Sequence, residues 1–427
     1  MLKGIVFPSS STVTLEIINA FSNHKDISII GVNSHNNYEF KDLLNCTFDD
    51  CPQFTDEKNC VNYLINICLA QNCNFIIPTM DNAHLLLSKY CNKFNDNNIK
   101  IISSSYETNI ICISKETTYN KLKDAIECPI VYNINDIKFY DFPVFLKPKI
   151  GYGSRGCHII KNIEDLNKNY DDNMLIVEYL ENEEYTIDCF THNNKLIYTN
   201  VRERVLYKNG LSVITKNIFD DNTSYINNIA DQINKTLEFT GSWFFQIKRN
   251  KNNKFKLLEV STRIAGASSI NRLIGCNLPL LSVYLHFNYP VEIIKNEYNF
   301  TVNKYLRNHF DFKLLKDYNN IYIDLDDTLI VNNKVNTNII QFIYKSINYD
   351  KNIFLITRHK NNVNDTLTKY KIDKNLFTEI YHIIDMSSKS TFINKNSILI
   401  DDSYSERKSC IKNNILVFDI DCVEFFN

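Results

Sequence analysis

The stretch "FPVFLKPKIGYGSRGCHII" at residues 142–160 decides how the centre of this chain folds, because it carries G-x-G-x-x-G at Gly151, Gly153 and Gly156. A dinucleotide-binding loop of this pattern runs from a strand into a helix. Here the residues after the last glycine read "CHII", which is apolar and β-branched and predicts a second strand. A glycine-rich loop between two strands can fold over phosphates with unhindered amides, and Lys147 on the incoming strand would point at the same phosphates. The alternative is a glycine-rich hairpin with a surface lysine.

The segment "LIVEYLENEEYTIDCF" at residues 175–190 follows this loop. Its apolar strand ends in Glu178, Tyr179 and Leu180, where alternating backbone groups can meet the edge of an adenine. Glu184, six residues later, can accept hydrogen bonds from ribose hydroxyls. By itself, the segment is equally compatible with an ordinary acidic hairpin.

Two further strands supply candidate metal ligands. The sequence "GSWFFQIKRN" places Gln246 on a strand, and "FKLLEVSTRIAGASSINRL" places Glu259 at the end of the next strand. A glutamine and a glutamate opposed across a hairpin offer the hard oxygen ligands that Mg²⁺ takes beside nucleotide phosphates. Arg263, four residues past Glu259, can hold a migrating phosphoryl group.

Over roughly residues 1–310 the sequence resembles the ATP-grasp superfamily. The resemblance rests on the order of the motifs: a lysine, a glycine loop, a hinge glutamate, Gln246 and then E-x-S-x-R. The most similar members are the carbamoyl-phosphate-synthetase-like and biotin-carboxylase-like ones. The resemblance implies ATP and Mg²⁺ as cofactors, with Gln246 and Glu259 as metal ligands and Arg263 as a catalytic residue. The residues that it implies for ATP binding are Lys115, Lys147, Gly151, Gly153, Ser154, Gly156, Glu178, Tyr179, Leu180 and Glu184.

One residue departs from the pattern of that superfamily. Its members usually have Asn two residues past the metal-binding Glu, whereas this chain has Ser261, so the second metal site is expected to be weaker or more hydrated. Arg202 and Arg204 in "NVRERV" are candidates for binding a phosphate or carboxylate of the substrate; the alternative is a pair of exposed strand charges. The resemblance implies formation of an acyl phosphate that an amine attacks, and so a carbon–nitrogen ligase.

Near the end of the chain, "IYIDLDDTLI" at residues 321–330 brings three carboxylates within four positions. The strand followed by D-x-D-x-T resembles the first motif of the haloacid dehalogenase superfamily. Thr357 after "IFLI", Lys389 in "SSKSTF" and the Asp401–Asp402 pair after "SILI" resemble the other three motifs in order.

That second resemblance implies a phosphatase mechanism. Asp324 would attack phosphorus and carry an aspartyl-phosphate, and Asp326 would protonate the leaving group. Thr357 and Lys389 would bind the phosphoryl oxygens. Asp324, Asp326 and Asp401 form the expected magnesium set, and Asp402 is a candidate substrate contact. About 105 residues leave little room for a cap over the site.

The organisation of the chain predicts three domains. Strands at 4–7, 27–33, 74–79 and 99–105 alternate with helices and predict a small open parallel α/β domain over 1–105. An α+β ATP-grasp domain at 106–310 and a Rossmann-like haloacid dehalogenase domain at 318–427 follow. The fold class is therefore α/β and α+β, multidomain and without a sizeable cap.

Bulk composition excludes several functional classes. The 47 basic and 49 acidic residues give a net charge of −2, so there is no electrostatic case for nucleic acid or an anionic membrane. No export signal or apolar span is recognisable. Thirteen cysteines without C-x-x-C spacing predict reduced thiols in the cytoplasm rather than a disulfide or zinc framework.

The sequence thus predicts a bifunctional enzyme that acts on small molecules. A homo-oligomer is compatible with this prediction. An ATP-grasp ligase joins a carboxylate to an amine, and a magnesium-dependent phosphatase removes a phosphate from the product or a related metabolite. By analogy, surface-polysaccharide or specialised-metabolite biosynthesis would suit this pair of activities. The alternatives are a tail that dephosphorylates the substrate first, and a tail that binds phosphate or regulates without turnover.

Overall fold

The computed structural model describes residues 1–22, 24, 26–35, 41–44, 46–208, 211–218, 221–293, 295–296, 300–303 and 318–426. The chain forms two compact units, Met1–Tyr305 and Leu306–Asn427. The division of the first unit into two domains stays a prediction, and residues 304–317 of the predicted connection lie outside the described residues. Among the helices of the described residues, none combines the length and apolar character needed to cross a membrane.

The first unit begins with a parallel sheet whose strand order is β3-β2-β1-β4-β5. Its strands are β1 (Leu2–Phe7), β2 (Ile27–Val32), β3 (Thr47–Phe48), β4 (Phe75–Pro78) and β5 (Lys100–Ile101). The helices of this part are α1 (Thr12–Phe21), α2 (Glu57–Gln71), α3 (Asp81–Lys89), α4 (Cys91–Asn95), α5 (Tyr106–Cys112) and α6 (Lys115–Leu122). The central strands are apolar and buried, as expected for a parallel sheet covered on both faces. Strands are present at all four predicted positions, although the strand predicted over 99–105 is confined to Lys100–Ile101; β3 is an additional edge strand.

A four-stranded antiparallel sheet follows, with order β6-β9-β7-β8. Its elements are β6 (Val131–Tyr132), β7 (Val144–Pro148), β8 (His158–Ile160), α7 (Ile163–Asn169) and β9 (Met174–Glu178). The glycine-rich loop connects β7 to β8, so it runs from strand to strand as predicted. This arrangement separates the loop from the dinucleotide-binding kind, which leads into a helix.

A six-stranded antiparallel sheet completes the first unit, with order β14-β13-β10-β11-β12-β15. Its elements are β10 (Glu184–His192), β11 (Lys195–Lys208), β12 (Leu211–Asn217), α8 (Asp221–Thr236), β13 (Gly241–Arg249), β14 (Phe255–Ser261), α9 (Ser269–Leu273), α10 (Leu278–His286) and β15 (Thr301–Asn303). The predicted Asn-Asn turn joins β10 to β11, with φ of 50° and 60° at Asn193 and Asn194. Both angles suit the two-residue hairpin turns that asparagine favours.

The two faces of this sheet differ in chemistry because side chains alternate along each strand. One face is apolar and packs in a core that contains Ile187, Val201, Trp243 and Phe245, together with residues of α6 and α8. The other face carries charged and amide side chains. This second face, called the polar face below, holds five of the predicted ligase residues: Glu184, Arg202, Arg204, Gln246 and Glu259.

The second unit is built on a parallel sheet of order β20-β19-β16-β21-β22. Its elements are β16 (Asn320–Ile323), β17 (Ile330–Val331), β18 (Lys334–Val335), α11 (Thr337–Asn348), β19 (Asn352–Thr357), α12 (Val363–Lys369), β20 (Glu379–His382), β21 (Ser397–Ile400), α13 (Tyr404–Ile411) and β22 (Leu416–Phe418). Parallel strands with helical connections agree with the α/β pattern predicted here. Between β16 and β19 lie only a two-stranded hairpin and one helix. Assignment of this unit to the haloacid dehalogenase superfamily stays a prediction.

Candidate active site

A cavity in the first unit is lined by residues from both antiparallel sheets and from the glycine loop. The structure brings most of the predicted ATP and metal residues together there. Those that line it are Lys115, Lys147, Gly151, Gly153, Ser154, Glu178, Tyr179, Leu180, Glu184, Gln246 and Glu259, along with Arg204. Three predicted residues, Gly156, Arg202 and Arg263, are not among the lining residues of this cavity.

Lys147 lies on β7 with only 4% of its surface exposed. Its Nζ donates a hydrogen bond to the hydroxyl of Tyr119 at 2.6 Å and lies 3.4 Å from the carbonyl oxygen of Leu258. Burial, with a smaller contribution from the nearby charge of Lys115, lowers the pKa of Lys147 to about 7, while Glu259 opposes the shift. The buried ammonium therefore lacks a full counter-charge, which an anionic phosphate would supply.

Two glycines set the backbone conformation of the loop that lines the cavity. Gly153 and Gly156 have φ of 63° and 70°, a region that residues with a Cβ rarely adopt. A Cβ at Gly153 would meet nothing within 4 Å, so this position needs glycine for its backbone conformation and not for lack of space. Lys115 Nζ donates to the carbonyl oxygen of Gly151 at 2.9 Å and so ties α6 to the loop.

The predicted adenine hinge is fixed by the side chain of Glu178. Its Oε1 accepts a hydrogen bond from Asn250 Nδ2 at 3.0 Å, and its Oε2 accepts one from the backbone of Ile130 at 3.3 Å. The chain leaves β9 after Glu178, and Tyr179 and Leu180 follow in an irregular segment along the cavity wall.

Glu184, the predicted ribose ligand, forms an ion pair with Arg204 on the neighbouring strand. Its other carboxylate oxygen lies 3.9 Å from Lys248 Nζ. Arg204 is therefore a partner of Glu184 at the cavity wall and not an exposed strand charge.

The predicted metal pair is assembled by strand register. Gln246 on β13 stands directly opposite Glu259 on β14, so the two side chains lie side by side on the polar face. Gln246 Nε2 donates to the hydroxyl of Thr186 at 3.3 Å, which directs its carbonyl oxygen away from that strand. One amide oxygen and one carboxylate form the hard-oxygen donor set that suits Mg²⁺.

Asp81, at the start of α3, contacts two predicted site residues and was not expected from the sequence. Ser261 Oγ donates to Asp81 Oδ1 at 2.6 Å, and Arg263 Nε donates to Asp81 Oδ2 at 3.1 Å. Burial alone would raise the pKa of Asp81, but Arg263 and Ser261 hold it below its usual value. The hydroxyl hydrogen of Ser261 is thus committed to a carboxylate, and Arg263 is fixed beside the ring of Phe244 at 5.1 Å.

Arg202, a candidate substrate contact, lies in a buried ion pair. Its Nε donates to Asp188 Oδ2 at 2.7 Å and its Nη2 donates to Asp188 Oδ1 at 3.3 Å. Arg202 is 2% exposed and Asp188 is 1% exposed, so this arginine is not an exposed strand charge either.

In the second unit, Lys389 bridges two aspartates at the carboxyl ends of neighbouring strands. Its Nζ lies 2.6 Å from Asp324 Oδ1 and 2.7 Å from Asp401 Oδ2, and all three groups are buried. Burial raises the pKa of Asp324, and the charge of Asp401 raises it further while Lys389 opposes both effects. With both carboxylates ionised and the ammonium protonated, this cluster carries a net charge of −1.

Carboxylate oxygens of Asp324, Asp401 and Asp402 lie within 4.8 Å of one another. This spacing and donor type fit a divalent cation with oxygen ligands. Asp402, predicted as a substrate contact, belongs to this group and also accepts a hydrogen bond from Thr328 at 3.1 Å. The side chain of Asp326 is outside the group, although it was included in the predicted metal set.

Asp326 instead contacts His359, a residue for which no role is predicted from the sequence. His359 Nδ1 lies 2.8 Å and 3.0 Å from the two carboxylate oxygens of Asp326, and its Nε2 lies 2.8 Å from Thr366 Oγ1. The backbone N–H of His359 donates to Thr357 Oγ1 at 3.1 Å. The histidine therefore connects two of the predicted phosphatase residues, and its place two residues after Thr357 is the only sequence signal for it.

Comparisons with known proteins bear on the first unit. A model of the family described as "ATP-grasp in the biosynthetic pathway with Ter operon" matches residues 170–306, which include Gln246, Glu259 and Arg263. No curated protein sequence matches this chain.

Several solved structures share the fold. Biotin carboxylase from Campylobacter jejuni, as a β-γ-ATP complex, has a TM-score of 0.58 at 16% identity and covers 69% of this chain and 72% of that chain. The biotin carboxylase domain of Hydrogenobacter thermophilus 2-oxoglutarate carboxylase, with MgADP, ADP and bicarbonate, has a TM-score of 0.57 at 13% identity and covers 69% of this chain and 71% of that one. N5-carboxyaminoimidazole synthetase from Staphylococcus aureus, complexed with ADP, has a TM-score of 0.56 at 16% identity, with 68% and 78% covered. The family match and these structures together support an ATP-grasp fold for this chain.

Proposed function

We propose that the first unit is an ATP- and Mg²⁺-dependent ligase that joins a carboxylate to an amine. The observation that carries this proposal is the content of one cavity: Lys147, the glycine loop, and the opposed Gln246 and Glu259. The cofactors ADP, ATP and Mg²⁺ named for the structural neighbours support ATP and Mg²⁺ here. Because the H. thermophilus neighbour is described as a dimer, a homo-oligomer is part of the proposal. A cytoplasmic location stays a prediction.

The reaction proceeds in two balanced steps. An oxygen of the substrate carboxylate attacks the γ-phosphorus of ATP, the bond to the β-phosphate oxygen breaks, and ADP leaves. The amine then attacks the carbonyl carbon of the acyl phosphate, the C–O bond to phosphate breaks, and the amine loses a proton. Lys147 and the loop amides hold the phosphates. Arg263, whose Nε is bonded to Asp81 and which is not among the cavity-lining residues, keeps its predicted role of stabilising the charge of the transferred group. Gln246 and Glu259 would hold Mg²⁺, which neutralises phosphate charge when it is bound.

We further propose that the second unit is a magnesium-dependent phosphatase. The D-x-D-x-T sequence at the end of β16 and the bridge from Lys389 to Asp324 and Asp401 support this proposal. Asp324 attacks the phosphorus of a monoester, the ester P–O bond breaks, and Asp326 gives a proton to the departing alcohol. Water then hydrolyses the aspartyl-phosphate, and Asp326 takes up the proton.

The two activities are proposed to act on one molecule in sequence, with the ligase forming a phosphorylated product from which the second unit removes phosphate. The first alternative is dephosphorylation before ligation. The second alternative is a second unit that binds phosphate or regulates without turnover. Biosynthesis of surface polysaccharides or specialised metabolites remains the setting suggested by analogy.

Two assays on the full chain test these proposals separately. ADP release is measured with a panel of carboxylates and amines, and turnover of p-nitrophenyl phosphate is measured with and without Mg²⁺. The proposals expect ADP release that depends on both substrates and nitrophenol release that depends on Mg²⁺. ADP release that does not depend on any acid or amine would contradict the ligase proposal. Phosphate binding without turnover would contradict the phosphatase proposal and support the alternative of a second unit that only binds phosphate.

A further inference from the structure

The polar face of the six-stranded sheet extends beyond the ATP cavity. Strand pairing places one continuous row across five strands, from Glu259 through Gln246, Thr186 and Arg202 to Asn217. The hydrogen bond between Gln246 and Thr186 links the proposed metal pair to this row. The far half of the row therefore continues the proposed ligase site along the sheet.

Two asparagines stand beside the Arg202–Asp188 ion pair on this face. Asn217 is directly opposite Arg202, and Asn200 is directly opposite Asp188. Because Asn200 and Arg202 are two residues apart on β11, both side chains project from the same face.

The amide groups of these asparagines lack hydrogen-bond partners. Each side chain is 1% exposed, and all four of their polar atoms are without a partner among the described residues. Buried amide groups in native proteins are nearly always hydrogen-bonded, since leaving them unpaired is costly. Unpartnered donors and acceptors next to a catalytic sheet face are expected where a ligand supplies the missing bonds.

We propose that Asn200 and Asn217, with the Arg202–Asp188 pair, form a subsite for the end of the ligase substrate remote from its reacting carboxylate. This inference rests on the proposed ligase function. With strands spaced about 4.8 Å apart, β11 and β12 lie about 10 to 14 Å from Gln246 on β13. The substrate is therefore an extended acid whose far end reaches along the sheet.

The subsite selects a neutral, hydrogen-bonding group. Arg202 is balanced by Asp188 at bonding distance, so a charged ligand group would be buried there without a counter-charge. Each asparagine offers both an NH₂ donor and a carbonyl acceptor. Vicinal hydroxyls and carboxamides each combine hydrogen-bond donors with acceptors, so either group can complement the two asparagines.

Stability of the ligand-free protein gives a first test, which needs no substrate. Asn200→Leu and Asn217→Leu remove unpaired polar atoms at similar volume, so each is expected to raise the melting temperature by a few degrees. The fluorescence of Trp243, the single tryptophan of the chain, reports on this sheet because Trp243 lies in the core beneath it.

Asn234→Leu is the matched control. Asn234 is also buried, but its Oδ1 accepts from Thr191 at 2.6 Å and its Nδ2 donates to the Asn194 carbonyl at 3.0 Å. This substitution is expected to lower the melting temperature. If Asn200→Leu and Asn217→Leu lower it equally, the amides are satisfied within the protein or by fixed water, and the proposal is overturned.

Calorimetry on the full chain saturated with MgADP gives the second test. The probes are four acids long enough to span about 10 Å: lactobionate, sebacamate, decanoate and sebacate. Lactobionate or sebacamate is expected to bind at least tenfold more tightly than decanoate or sebacate, and the tighter of the two identifies hydroxyl or carboxamide chemistry. Asn200→Leu and Asn217→Leu should abolish the preference.

The controls separate the subsite from the ligase proposal. MgADP binding with no preference among the four acids, or with sebacate bound most tightly, would overturn the subsite alone. Absence of MgADP binding would overturn the ligase, and the stability comparison would then still decide whether the asparagines lack partners.

Discussion

The Nζ of Lys147 donates a hydrogen bond to the hydroxyl oxygen of Tyr119 at 2.6 Å, inside a cavity wall where no carboxylate of the described residues is bonded to this lysine. Burial raises the pKa of Tyr119 far above its usual value, so the tyrosine stays neutral and adds no counter-charge. Lys147, with a pKa of about 7, is therefore largely uncharged above neutral pH until an anion arrives.

The first prediction is that ATP binding takes up a proton at pH 8. Free Lys147 is then mostly neutral, and the phosphates restore its usual basicity, so uptake should approach one proton per site. Above pH 7 the affinity for ATP should fall by up to about tenfold per pH unit, because binding takes up one proton and the proton concentration falls tenfold per unit. Calorimetry in buffers of different ionisation enthalpy measures this uptake.

Lys147→Met is the control for that experiment, and it should bind ATP weakly without proton uptake. The same pKa predicts that folding stability rises with pH from about 7 towards 10.5, because the unfolded chain holds a proton that folded Lys147 has lost. Equal proton uptake by wild type and variant would assign the titration to another group.

The second prediction is that Lys147→Ala abolishes ADP formation and leaves phosphatase turnover unchanged. The variant loses the ammonium that grips the phosphates, whereas the second unit keeps all its residues. Lys149→Ala is the matched control: Lys149 is two residues away but pairs with Glu116 at 3.2 Å, so its loss should have little effect. Unchanged ADP formation in Lys147→Ala would refute its assignment.

The third prediction ranks two residues on β14. Glu259→Ala should remove nearly all ligase activity, because it deletes the carboxylate opposite Gln246. Ser261→Ala should keep a measurable fraction, since the Ser261 hydroxyl is bonded to Asp81. Magnesium titrations of ADP formation measure both, and Ser261→Asn should tighten the apparent magnesium affinity. The reverse ranking of the two alanine variants would place the site elsewhere.

The fourth prediction concerns Asp324. Asp324→Asn keeps the shape of the side chain but removes the nucleophilic oxygen charge, so phosphatase turnover should fall by orders of magnitude with the fold retained. Asp327→Asn is the control, since Asp327 is exposed and its φ of 54° suits asparagine. Mass spectrometry of the ligase product should find its phosphate still attached in Asp324→Asn. A product without phosphate in this variant would exclude the sequential scheme.

The fifth prediction is that His359 positions Asp326. His359→Ala should lower kcat and leave KM unchanged, because the carboxylate loses the contacts at 2.8 and 3.0 Å that orient it. The loss should be greater for an alkyl phosphate than for p-nitrophenyl phosphate, since only the poorer leaving group depends strongly on proton donation. His359→Gln should restore part of the rate. Equal losses on both substrates would indicate a merely structural histidine.

The sequence predicted the elements whose signal is local. The residues "CHII" after the glycine loop indicated a strand, and β8 is there. The opposition of Gln246 and Glu259 followed from two adjacent strands joined by a short turn. The edge strands β3 and β20 were missed, because "TF" and "EIYH" carry too few apolar residues to stand out from their surroundings.

The partners of Arg202 could not be predicted, because a bulge decides them. Counting outward from the Asn193–Asn194 turn pairs Thr191 with Leu196, and this register would place Asp188 opposite Thr199. A register shift after Phe190 moves every later pair by one residue. Only then do Asp188 and Arg202 share a face, since a one-residue slip exchanges the faces of a strand. The contacts of Asp81 with Ser261 and Arg263 join residues about 180 positions apart, a separation at which a single sequence gives no signal.

Alternate residues of strand β10 are under two different constraints, packing in the core and lining the polar face. Ile187 and Cys189 belong to the core, whereas Thr186 and Asp188 face the proposed site. Evolution can therefore exchange one set without disturbing the other, and descendants of this chain can acquire new substrates while inheriting the same scaffold. The alternation makes the sheet a source of evolvability as well as of stability.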